Sequence, residues 1–222
     1  MSRFNSHTIF AEAEGWDLWD VNVRVGPSGI HGELALDKTG LLQEMDRYFI
    51  RTAVAAHGTA IEYDADQGNE FLSEVRGPRL VPAWTARPER KYVDGLRALQ
   101  PRAVRLSPGR TNHNFPLTKW GAGELFEFLQ AERVVTLVAR EDIEWNTVAE
   151  LLENFPRLPL VLLDTGYRAD TYLYPLLDRF PTLSFDSATY LAHRQLESYV
   201  DQYGPERILF GSRLPFFTPA SA

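Results

Sequence analysis

"DVNVRVG", Asp20 to Gly26, is the stretch on which the reading of this chain turns. Valines 21, 23 and 25 alternate with Asn22 and Arg24, the period-two pattern of a strand with one apolar face. Its other face carries an amide and a guanidinium just before a glycine. A strand that ends this way presents hydrogen-bond donors at its C-terminal end. What neighbouring strands present beside them decides between a metal enzyme, a metal-free one, and neither.

Seven further apolar runs follow: residues 51–58, 80–86, 102–108, 134–140, 158–166, 183–190 and 207–216. Between them lie amphipathic stretches, among them "LLQEMDRYF", "PERKYVDGLRALQ", "GAGELFEFLQAE", "NTVAELLENF", "YLYPLLDRF" and "HRQLESYVDQYG". A short helix is expected around "GNEFLSEV", and Gly204 before Pro205 is a helix stop. Strands alternating with helices indicate parallel βαβ units, and eight of them suggest a closed (β/α)8 barrel; a doubly wound open sheet is the main alternative. No linker or low-complexity segment divides the chain. Residues 1–222 therefore read as one domain, with 1–15 as an N-terminal extension. Only six residues follow Phe216, too few for an eighth helix. Either the chain is truncated or something else covers the seam between the eighth and first strands. The candidates are a second copy of the chain in a homo-oligomer, the segment 1–15, or residues beyond this sequence.

Composition narrows the function classes. A formal charge of −7 argues against a nucleic-acid partner. No apolar run approaches the length that spans a bilayer, and the N-terminus lacks the apolar core of a signal peptide. With no cysteine, disulfides and thiolate metal sites are excluded, and a cytoplasmic location is the default expectation.

The order of "DVNVRVG", "LLQEMDRYFIRTAVAAH", "RLVPAWTARPE", "NFPRLPLVLLDTG" and "PERILFGSRLPF" resembles the amidohydrolase-related family, metal-dependent hydrolases of TIM-barrel fold. The likeness runs from about residue 18 to 217. In that family the first strand carries His-x-His, two metal ligands; the matching positions here are Asn22 and Arg24. The family histidines of strands five and six match Val138 and Asp164, and the strand-eight aspartate that activates the metal-bound water matches Arg213. Of these five residues only Asp164 has the chemistry of a metal ligand. The expectation is therefore no metal and no cofactor.

Strand periodicity puts His57, Trp84, Arg105, Arg140, Asp164, Asp186 and Arg213 on the face of Asn22 and Arg24, all late in their strands, where barrel sites are built. Four arginines against two aspartates leave a local excess of about two positive charges. Such a mouth suits a small carboxylate or phosphate, or an oxyanion that a metal would otherwise hold. Asp164 is the candidate general base, with His57 or Asp186 second; Asn22, Arg24, Trp84, Arg105, Asp186 and Arg213 are the candidate substrate contacts. Some members of the wider superfamily, a pyrone-dicarboxylate lactonase among them, hydrolyse carboxylated substrates without metal. The competing reading is a non-catalytic barrel serving as a binding or assembly subunit. In it, Arg24, Arg105 and Arg213 pair with Asp164, Asp186 and Asp20 and plug the site.

Other features read more plainly. Arg140, beside Glu141 and Asp142, reads as a loop residue rather than a site residue, and Trp84 is as readily a core cap as a stacking platform. His57 has an equally good structural reading. His7, His31 and His113 fall in expected loops, and His193 opens a helix. "TNHN" (111–114) reads as a solvated loop within reach of the mouth, and "GPSG" (26–29) as a turn whose N–H groups could cradle an anion.

Overall fold

The computed structural model describes residues 15–29, 34–190 and 194–221. His7, His31, His193 and nearly all of the 1–15 segment lie outside them. Eight strands follow one another in sequential order, each paired in parallel with the next. They are β1 (Leu18–Val25), β2 (Ile50–His57), β3 (Leu80–Thr85), β4 (Ala103–Leu106), β5 (Val135–Ala139), β6 (Leu160–Leu163), β7 (Leu183–Asp186) and β8 (Ile208–Leu209). The helices are α1 (Lys38–Arg47), α2 (Gly58–Glu62), α3 (Ala65–Val75), α4 (Arg90–Leu99), α5 (Lys119–Ala131), α6 (Trp145–Asn154), α7 (Asp170–Arg179) and α8 (Gln195–Tyr203). None is long and apolar enough to cross a membrane. The sequence reading contained α3 but not α2, a five-residue helix that matters below.

Register divides the wall into two faces. Ala83 pairs with Ala103, Leu137 with Val161, and Asp186 with Leu209. The apolar residues among these, with Ala56 and Leu163, pack together as the barrel's interior. The alternate residues Val104, Val138, Leu162 and Phe185 pack in the larger cluster with the helix side chains Phe126, Leu151 and Leu177. Alanines at 56, 83 and 103 beside the larger Leu137, Val161 and Leu163 fill the narrow interior.

The ring is closed, which excludes the open sheet. The Val21 N–H donates to the Phe210 carbonyl at 2.9 Å, and the Arg24 N–H to that of Leu214, also at 2.9 Å. Asp20 clamps the same seam: its Oδ1 accepts the N–H of Ser212 and of Asn22, both at 3.0 Å. Beyond β8 the described chain forms only a 3-10 turn, Pro219–Ser221. Ile208 and Phe210, on the outer side of the seam, stay half-buried, whereas Phe185 on the neighbouring strand is fully buried.

Candidate functional site

Three backbone irregularities build the mouth. Strand β1 carries a bulge: Asp20 pairs with Ala53 but Val23 with Ala55, so Val21 and Asn22 together oppose one residue of β2. Asp164 directly follows the inward Leu163, so a regular strand would turn it outward; its φ of 56° breaks that parity. Arg213 has a φ of 58° for a similar result after β8. The Asn22 amide donates to Asp164 Oδ1 at 3.0 Å and to Asp186 Oδ2 at 2.8 Å. Asp164 also donates its N–H to Asp186 Oδ1 at 2.8 Å, and Arg213 Nε lies 3.5 Å from Asp164 Oδ2. Burial, reinforced by the charge of Asp164, holds the Asp186 carboxyl well above the usual carboxylate range.

Arg24 and Arg105, the two remaining cations, differ sharply. Arg24 has a partner that sequence reasoning missed: Nη1 lies 3.2 Å from Glu62 Oε1, at the end of α2. That carboxylate also accepts from Ser28 Oγ at 2.8 Å and from the Gly29 N–H at 2.7 Å. The anion held by the "GPSG" turn is therefore internal. Arg24 and Arg213 both lie over the ring of Phe216, at 5.0 and 5.9 Å. Burial and the charge of Arg105 lower Arg24 to about 10. Arg105 is 3% exposed, and among the described residues its Nε and Nη2 have no hydrogen-bond partner. Burial lowers its pKa too, against the opposing charges of Asp164, Asp142 and Asp186.

The expected positive excess is not realised. Arg140 is stacked on Trp145 at 4.5 Å, on the 3-10 turn after β5. Glu62 and Asp142 join the group instead, so three arginines face four carboxylates. Asp142, its carboxyl raised by burial, is held by the Asn112 amide at 3.2 Å. The "TNHN" loop thus reaches the mouth, and His113 Nε2 sits 2.7 Å from the Ala60 carbonyl on α2. A cleft of about 400 Å³ opens here, lined by Arg24, Glu62, Arg110, Asn112, Glu141 and Asp142 among others.

Three sequence-derived placements need correction. His57 pairs in register with Val25, not Arg24, and so points out of the barrel. Its Nδ1 accepts the Thr59 N–H as the cap of α2, its ring lies 5.3 Å from that of Phe71, and a Cβ on Gly26 would collide with it. Trp84 pairs with Val104 and faces the helices; the inward residue is Thr85, opposite Arg105. Val138 likewise faces outward, and Leu137 and Ala139 line the inner face of β5. By contrast, Asn22, Asp164, Asp186 and Arg213 come together, with Arg24 and Arg105 beside them.

Among the described residues, no group of three or more His, Cys, Asp or Glu side chains is placed to hold a metal ion. At the mouth, amide and guanidinium donors point at the two carboxylates instead.

No family model and no curated protein matches the sequence. Solved structures do match the fold. A protein assigned as a 2-pyrone-4,6-dicarboxylic acid hydrolase from Pseudomonas putida is 16% identical, covers 91% of this chain and 84% of its own, and has a TM-score of 0.67. Amidohydrolase 2 from Bifidobacterium longum subsp. infantis is 12% identical, with 92% and 89% covered and a TM-score of 0.63. A probable 2-pyrone-4,6-dicarboxylic acid hydrolase from Acinetobacter baumannii, with citric acid bound, is 11% identical, with 93% and 90% covered and a TM-score of 0.61. What these structures share with this chain is architecture, an eight-stranded parallel α/β barrel.

Proposed function

We propose that this chain is an amidohydrolase-related protein that binds a small carboxylate or phosphate at the barrel mouth, and that any hydrolysis there runs without a metal. The observation that carries the reading is Arg105. A guanidinium buried this deeply costs several kcal/mol in lost solvation unless donors find acceptors. Two of its nitrogens have none among the described residues. An anion, or a carbonyl oxygen developing negative charge, would supply what they lack. The names of two similar structures, hydrolases of a dicarboxylic acid, point to the same ligand class.

The mouth's donor set does not fit a divalent ion. Asn22 and Arg213 aim N–H groups where a cation would need lone pairs, and Arg105 adds a repelling charge. Chemistry on a lactone, ester, amide or other carboxylic acid derivative would then fall to the side chains. Asp164 Oδ2, a buried oxygen with no hydrogen-bond partner among the described residues, is the candidate general base. Arg213 lies beside it, and Arg105 would stabilise an oxyanion.

One observation favours the second reading, a binding or assembly barrel without catalysis. The Asn22 amide engages both carboxylates at once, and Arg24 is held by Glu62. Titrating dicarboxylates and phosphates against wild type, Arg24→Ala, Arg105→Ala and Arg213→Ala separates the cases. Loss of one charge-assisted contact should weaken a bound anion roughly 10- to 150-fold. Absence of specific anion binding to wild type would leave the non-catalytic reading standing.

A further inference from the structure

The carboxylate of Glu62 is held as a bound ligand is held. Its two oxygens receive three donors, one from strand β1 and two from the turn that follows it: Arg24 Nη1 and Ser28 Oγ on Oε1, and the Gly29 N–H on Oε2. A guanidinium, a hydroxyl and a backbone amide converging on both oxygens form a site for any carboxylate. The two charged side chains are 11% and 6% exposed, so their ion pair is sheltered from water, while the Gly29 contact is exposed. Glu62 nevertheless lines the open cleft of about 400 Å³, with Arg110 among the cleft's other residues.

Its mooring is light. Glu62 is the last residue of a five-residue helix, and Tyr63 after it has left helical geometry, with φ −134° and ψ −71°. Rotation about the Glu62 side-chain bonds alone would release its oxygens, with no rearrangement of the wall. Arg24, left behind, shares the mouth with Arg105, whose Nε and Nη2 have no hydrogen-bond partner among the described residues.

We infer that Glu62 is a resident occupant of a carboxylate subsite, and that a ligand carboxylate binds by taking its place on Arg24, Ser28 and Gly29. This rests on the mouth being an anion site and adds how that site is kept filled and which group competes for it. The ligand class it selects is a dicarboxylate, with one carboxylate on the Glu62 donors and the second negative group on Arg105. A resident carboxylate also keeps Arg24 neutralised and turns away anions too weak to displace it.

The test uses Glu62→Gln and Glu62→Ala. Glu62→Gln keeps the shape but removes the competing charge, so succinate, malonate and citrate should bind about tenfold more tightly than to wild type. Glu62→Ala opens a carboxylate-sized hole, so acetate and formate should raise its Tm, with no comparable rise in wild type or in Arg24→Ala/Glu62→Ala. Tighter binding with acetate rescue supports the inference. Acetate rescue with no dicarboxylate binding to any form also supports the subsite, and it counts against the wider ligand reading alone. If Glu62→Gln binds dicarboxylates no better than wild type and acetate fails to rescue Glu62→Ala, Glu62 is a brace for Arg24 and the inference falls. Should Glu62→Ala not fold, the Glu62→Gln titration decides by itself.

Discussion

Between Ala103 and Leu163 the barrel wall is regular, and inward and outward side chains alternate without interruption; at the rim, that alternation fails at Asn22, Asp164 and Arg213. The wall is built from Ala, Val and Leu whose positions follow from strand parity alone. Rim residues get their directions from a bulge and from left-handed backbone, which place polar groups where parity would not. The difference separates two kinds of stability. Apolar burial holds the wall, while hydrogen bonds among buried polar groups hold the rim, each costly to leave half-made.

Truncation in the wall should have the largest effect. Phe185 is fully buried against the rings of Tyr190 and Tyr199, at 5.6 and 5.2 Å. Phe185→Ala should cost about 3–5 kcal/mol in urea unfolding, with little change in the slope. A loss under about 1 kcal/mol would mean that the outer layer is not the stabilising core.

At the rim, Asp20 offers the sharper contrast. Asp20→Ala strands two buried N–H groups at the seam and should cost roughly 2–4 kcal/mol. Asp20→Asn keeps an acceptor oxygen and, because burial already raises the Asp20 carboxyl, should cost much less. Equal losses would show that charge rather than acceptance closes the barrel.

A smaller effect should appear in the pH dependence. Asp186 has a folded pKa above its unfolded value, so the folded state holds that proton more tightly. Its contribution to stability is fully present below the unfolded carboxylate range, about 4, and is lost as pH rises through the raised folded pKa. Asp20 and Asp142, also raised, and Asp66, lowered by Lys91, remain in both proteins. The stability of wild type minus that of Asp186→Asn should therefore decline with rising pH. Parallel curves would contradict the burial assigned to Asp186.

The same contrast explains what was legible in the sequence. Eight apolar runs alternating with amphipathic ones were enough for the barrel, because regular strands and helices have periods that show. Asn22, Asp164, Asp186 and Arg213 could be grouped because all read as late in, or just after, apolar runs. Trp84 went to the wrong face because "LVPAWT" is apolar on both sides, which leaves its parity undetermined until Thr85 is seen opposite Arg105. The outward direction of His57 does not show because periodicity within "RTAVAAHG", small and apolar on both sides, does not reveal its register against β1, which sets it beside Val25. Glu62 gave no signal at all. It ends a helix too short to show a period, and it bonds to Arg24, 38 residues away.

The central claim, that the mouth is built for an anion it does not itself supply to Arg105, is tested most directly on that residue. Thermal unfolding of wild type and Arg105→Met, each with and without a saturating dicarboxylate, is the measurement. The account predicts that Arg105→Met without ligand is as stable as wild type or up to about 2 kcal/mol more so, since a buried guanidinium with two unbonded nitrogens is replaced by an apolar chain of similar length. It also predicts that the anion raises the Tm of wild type and leaves that of Arg105→Met unchanged. A strongly destabilised Arg105→Met whose Tm still responds to the anion would show that Arg105 is a structural cation and that the ligand, if it binds, binds elsewhere.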